Sequence, residues 1–167
     1  MDKSQSPWNE LVKTLKEQAK GYQQYHSLLK EKEKHLIRGD TKRLMTLVEK
    51  ENRAVEGLDK IEQKRIKVIR ECVGEGKEEQ PMLTELLEIA PEEYRAAIEK
   101  EAVSLIEVLN SVASLNRSNA ELIKEAIQFV NYNISLLSGG ERENIYSENG
   151  RMRATEQKIS GFLNRQV

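Results

Sequence analysis

With one cysteine, three prolines, nine glycines and only 5% aromatic residues in 167, this chain has little of what builds disulfide frameworks, turn-rich sheets or aromatic cores. Cys72 has no second thiol to pair with, so an internal disulfide is excluded, and a reducing, cytoplasmic setting is expected. The longest apolar runs are a few residues, far below the roughly 20 that a membrane span needs. The N-terminal stretch MDKSQSPW has no apolar core of a signal peptide. A net charge of −1 gives no overall pull toward nucleic acid or an anionic membrane.

Reactive groups are equally sparse. His26 and His35 stand nine apart on different helical faces, without the Cys–His or His–Glu–His spacing of a metal site. No glycine cluster sits between a strand and a helix start, where a phosphate would be cradled. Glu99, Glu101 and Glu107 read as surface charges, and Cys72 as a small buried residue on an apolar stripe. Lys30, Lys32, Lys34 and Arg38 alternate with Glu31 and Glu33, the pattern of a solvated helix end. The reading is therefore no catalytic residue, no metal, no cofactor and no nucleic-acid partner.

What the chain has is charge, 33% of residues, and heptad patterning. From Pro91 to Leu137 there is no proline or glycine after the first residue, and Val108, Leu115, Leu122, Phe129 and Leu136 recur every seven residues. Leu105, Val112, Ala126 and Leu109, Ile123, Val130 widen this into a seam broader than a two-stranded zipper needs. Such a helix is about 70 Å long at a rise of about 1.5 Å per residue, and is expected to find partners along its whole face. Ser6-Pro7 is expected to start an earlier helix, with serine capping free amides and proline at the first position. Trp8, Leu15, Tyr22, Leu29 and Leu36 give it a second heptad row, and Arg38-Gly39-Asp40-Thr41 ends it. So short a turn implies two antiparallel neighbours. The next helix, 41–73, has Glu51, Glu62 and Arg65 interrupting its apolar face and is expected to be the least buried.

The expected fold is all-α: an antiparallel bundle of three long coiled-coil-like helices plus a short C-terminal amphipathic segment. Helices are expected at about 6–38, 41–73, 82–89 and 91–138, with a break at Ala90-Pro91. Residues 1–73 hold 17 basic and 12 acidic side chains, and 74–138 hold 5 and 12, so net +5 faces net −7 and favours packing the third helix on the first two. Beyond Ser138-Gly139-Gly140 the chain thins. Met152, Ile159, Phe162 and Leu163 fall on one face if 151–163 is helical, too narrow a stripe for independent stability. Residues 139–167 are thus expected either to dock weakly as a fourth helix or, the favoured reading, to be mobile and to order on a partner.

Four segments together resemble the FlgN family of flagellar type III export chaperones. They are LLKEKEKHLIRGD (28–40), LVEKENRAVEGLDKIEQKR (47–65), LNRSNAELI (115–123, with Asn116 and Asn119 three apart) and IYSENG (145–150). The last is similar to a Tyr-x-x-x-Gly element following the family's long helix. The 74–90 linker is longer than the family pattern, and Ser147 stands where glycine is common.

The resemblance implies a cytoplasmic, non-enzymatic helical chaperone. It implies binding to the C-terminal helical regions of flagellar hook-associated proteins, preventing early assembly, and delivery to the cytoplasmic domain of the export gate. On that footing Ile145, Met152, Ile159, Phe162 and Leu163 are candidate client contacts. Tyr146 and Gly150 are candidate gate-docking residues. Asn116 and Asn119 are candidates for fixing helix register, since a polar residue beside a seam costs stability unless paired. A structural or adaptor coiled coil, or a chaperone for another secreted subunit, fits the same composition. The seam can also be shared between two copies, so a homodimer stands beside the monomer.

Overall fold

Prolines and glycines punctuate a chain that is otherwise helical. The computed structural model describes residues 6–74 and 81–137. Four helices account for nearly all of them: α1 (Pro7–Arg38), α2 (Thr41–Val73), α3 (Leu83–Ile89) and α4 (Glu92–Leu137). The fold is all-α, as expected.

Pro7 occupies the first turn of α1, where its missing N–H costs nothing. Ser6 does not cap with its side chain, contrary to expectation. Its carbonyl instead accepts from Asn9 N at 3.0 Å and Glu10 N at 3.2 Å. Gly39 takes the left-handed conformation (φ 65°) that closes α1, with its N–H bonded to Leu36 O and that of Asp40 to His35 O. A Cβ there would meet nothing within 4 Å, so the demand for glycine is purely conformational. Asp40 then caps α2, its Oδ1 accepting from Arg43 N at 3.1 Å. At the Ala90-Pro91 break, the Arg95 guanidinium reaches back from α4. Its Nε donates to Ala90 O at 2.9 Å and its Nη2 to Glu88 O at 3.3 Å, which satisfies the free carbonyls at the end of α3.

Two compact units divide the chain, residues 1–125 and 126–167. In the first, α2 runs antiparallel to α1, because Glu17 meets Lys64 and Lys32 meets Glu51. The part of α4 up to Glu125 runs parallel to α1, with Ser118 Oγ bonded to Glu33 and Asn119 Nδ2 to the carbonyl of Leu29. The end holding the N-termini of α1 and α4 is called the lower end. Its core is mainly apolar: Leu11, Leu15 and Ala19 of α1 pack with Val68 and Ile69 of α2, Leu86 of α3, and Ile98 and Leu105 of α4, with Thr14 and Gln18 of α1 also buried. Higher up, a smaller cluster joins Tyr25, Leu29, Leu58 and Val112.

Burial corrects the expected pattern in three places. On α4 the buried row is Ile98, Leu105, Val112 and Asn119, with Ala102 beside it. Val108, Leu115 and Leu122 are only half-buried, and Phe129 and Leu136 are exposed. Both rows repeat every seven residues; packing against Leu29 selects the one that carries Asn119. Second, α2 is not the least buried helix. Among its described residues α4 buries five side chains in 46, whereas α2 buries five in 33, and Glu51 is one of them. Third, Lys32 belongs to no solvated patch, being buried against Glu51.

Candidate functional site

The first candidate is a polar layer inside residues 1–125. Leu11, Gln18, Tyr25 and Lys32 form one heptad row of α1, and Glu51, Leu58 and Arg65 one of α2. Each row therefore carries polar side chains inward. Lys32 Nζ lies 2.9 Å from Glu51 Oε2, with the two residues 6% and 0% exposed. A buried pair of this kind is maintained by mutual attraction against a large desolvation cost. Tyr25 stands close by. Burial pushes its phenol above the ordinary range, the Glu51 charge adds to this, and a hydrogen bond with Asn116 acts the other way.

Asn116 is exposed on α4, while Asn119, one turn on, is 2% exposed and bonded to Leu29 O at 3.0 Å. Its Oδ1 has no hydrogen-bond partner among the described residues. The two asparagines singled out from sequence thus meet α1 in different ways. Asn116 reaches a side chain at the edge, and Asn119 reaches backbone from inside.

A second polar group lies lower. Gln18 Nε2 donates to Glu62 Oε2 at 2.7 Å, and Arg65 grips the same carboxylate through Nε at 2.9 Å and Nη2 at 2.6 Å. The Arg65 hydrogen bonds hold the Glu62 carboxyl below its ordinary range despite partial burial. Beside them Lys64 bridges Glu10 at 2.8 Å and Glu17 at 3.1 Å, lowering Glu10 and raising Lys64. Burial raises the Cys72 thiol to about 12, so it is unreactive at neutral pH. Residue type alone marks Glu51, Glu62 and Arg65 as interruptions of an apolar face and Lys32 as part of a solvated helix end. The usable signal was their place in heptad rows, which points inward whatever the residue.

In the second unit, the described residues 126–137 read AIQFVNYNISLL, with no charged side chain. Phe129 is 68% exposed and Leu137 88%, and Val130, Tyr132, Ile134 and Leu136 are also exposed. Two of the polar residues between them bond to their own helix backbone: Asn133 Nδ2 donates to Phe129 O and Ser135 Oγ to Tyr132 O, each at 2.9 Å. An uncharged helix end with this much exposed apolar surface has the composition of a binding surface. Ile145, Tyr146, Gly150, Met152, Ile159, Phe162 and Leu163 all lie outside the described residues. Among the described residues there is no group of three or more His, Cys, Asp or Glu able to hold a metal, and no helix long and apolar enough to cross a membrane.

A family model described as FlgN protein matches residues 8–154. No curated protein and no solved structure gives a match. The matched span takes in α1, α2, α3, α4 and the IYSENG segment beyond them, and the chain belongs to the FlgN family.

Proposed function

We propose that this protein is a cytoplasmic export chaperone for flagellar hook-associated proteins. It binds their C-terminal helical regions, keeps them from assembling early, and delivers them to the cytoplasmic domain of the flagellar type III export gate. The observation that carries this reading is membership of a family of flagellar export chaperones over residues 8–154. The work is done by binding, with no reaction catalysed. Client contact falls to the C-terminal part, through Ile145, Met152, Ile159, Phe162 and Leu163. Tyr146, in its Tyr-x-x-x-Gly setting with Gly150, contacts the gate, since an amphipathic aromatic supplies rigid contact area at low entropic cost. The exposed, uncharged 126–137 stretch that leads into this segment supports the assignment. Asn119, and Asn116 beside it, set the register of α4 on α1.

Calorimetric titration with a hook-associated protein of the same genome tests this. Removal of residues 141–167 is expected to weaken client binding more than about tenfold, equivalent to about 1.4 kcal/mol. Tyr146→Ala is expected to keep client binding and weaken capture of the complex by the gate domain. Unchanged client affinity after the truncation overturns the tail assignment, and absence of any binding by the full chain returns the protein to an adaptor role or to another secreted subunit.

A further inference from the structure

The turn between α1 and α2 lies within KHLIRGDTKRLM, residues 34–45, where four basic side chains stand against the one acid Asp40, net +3 in a chain that is net −1. Lys34, Arg38, Lys42 and Arg43 are all exposed, and none of them forms an ion pair among the described residues. Asp40 is already engaged: Oδ1 accepts from Arg43 N at 3.1 Å, and Oδ2 lies 3.4 Å from His35 Nδ1. Counting in the flanks, Lys30 and Lys50 against Glu31, Glu33 and Glu49, still leaves net +2, with Lys32 and Glu51 neutralising one another. The stretch of α4 alongside does not cancel this charge, since Arg117 and Lys124 balance Glu121 and Glu125.

Two large apolar side chains are exposed among these cations. Ile37 and Met45 are each 69% exposed. By the α-helical rise, neither is more than about 6 Å along its helix from the end at the turn. This combination selects among anionic partners. A nucleic acid would meet the cations but leave Ile37 and Met45 in water, and residues 34–45 hold no Phe, Tyr or Trp on which a base could stack. An acidic peptide helix needs a groove to lie in, whereas the end of a two-helix hairpin, with Gly39 exposed at its turn, is convex. An anionic bilayer offers a convex surface both partners at once: charge at the headgroups, and apolar acyl chains within about 5–10 Å below them.

We propose that the turn end of the α1–α2 hairpin docks the protein reversibly on the surface of an anionic phospholipid bilayer. Lys34, Arg38, Lys42 and Arg43 meet the headgroup phosphates, and Ile37 and Met45 enter the boundary between headgroups and acyl chains. Each cation near such a surface favours the bound state about fivefold, so four together contribute on the order of several hundredfold at low salt. The attachment is peripheral, since no helix among the described residues is long and apolar enough to cross a membrane. Docking at this end is separate from the client and gate contacts assigned to the C-terminal part, and does not depend on them.

The test is flotation of the full chain with vesicles. The parent chain is expected to float with vesicles of equal parts phosphatidylglycerol and phosphatidylcholine, and to stay behind with phosphatidylcholine alone. Release is expected at about 1 M salt, where the Debye length falls to about 3 Å. Arg38→Glu with Lys42→Glu is expected to lower the partition coefficient more than about tenfold. Both side chains are exposed and unpaired, and a charge lost at the end of α1 is offset by one gained at the start of α2, so the melting temperature should hold. Ile37→Ser with Met45→Ser is expected to lower partition about threefold or more at unchanged net charge. Full retention by either double variant, or equal flotation with the neutral vesicles, overturns the proposal. So does a parent chain that binds neither vesicle; if it binds poly-glutamate or a homopolymer RNA instead, the partner is an acidic protein or a nucleic acid.

Discussion

The lower and upper halves of the 1–125 bundle are held by different physics. Below, Leu11, Leu15, Ile69, Ile98 and Leu105 make a continuous apolar core, with the buried Thr14 and Gln18 and the Gln18–Glu62–Arg65 group beside it. Above, the cluster of Tyr25, Leu29, Leu58 and Val112 is small, and Lys32–Glu51 and Asn119 occupy interior positions that leucine could have filled. Apolar packing tolerates a slip of one helix along another far better than a set of paired polar atoms does. On the proposed reading, the upper end would restrict the alignment of the three helices, and the variants below test this.

The sharpest way to break this contrast is Glu51→Ala. It strands a buried ammonium and is expected to destabilise by about 3–5 kcal/mol in urea unfolding, whereas Lys32→Met with Glu51→Leu is expected to be near neutral or stabilising. Ile98→Ala at the lower end, costing about 2–5 kcal/mol by cavity formation, has no such rescuing partner. A double variant as unstable as Glu51→Ala would show that the pair holds the fold by more than mutual neutralisation.

Asn119→Leu comes next. It removes a buried amide whose Oδ1 has no partner among the described residues, and is expected to raise stability by about 1 kcal/mol, read as a higher urea midpoint at constant slope. A loss of stability instead would mean that the bond to Leu29 O outweighs the gain in apolar area.

The smallest effect is acid dependence. The Glu62 carboxyl is held low in the folded state by Arg65, so its contribution is present above the ordinary carboxylate range and is lost as pH falls through the lowered folded value. Partial exposure limits it to about 0–1 kcal/mol. Melting temperatures of the parent chain and of Glu62→Gln should therefore converge on acidification below about pH 4, the ordinary carboxylate pKa. A gap that persists would place the effect elsewhere.

The all-α class, the tight Gly39-Asp40 turn and the proline starts were legible because each depends on a few adjacent residues. Heptad spacing identified inward rows but could not choose between two adjoining rows on α4, since that choice is made by Leu29, some 90 residues away. It also offered no way to match Lys32 to Glu51 or Gln18 to Glu62, because pairing depends on the register between helices. The expectation that the whole seam of α4 would be covered failed at Phe129 and Leu136 for a related reason. Periodicity records that a face is apolar, and is silent about what covers it.

The order of the helices has a further consequence for how order is gained. α1 meets α2 through a turn of two residues, so the entropy of closing that hairpin is small. α4 meets α1 across some 85–90 residues, as Ser118 with Glu33 and Asn119 with Leu29 show. Its docking therefore bears the larger loop-closure cost, growing slowly with the length of chain enclosed.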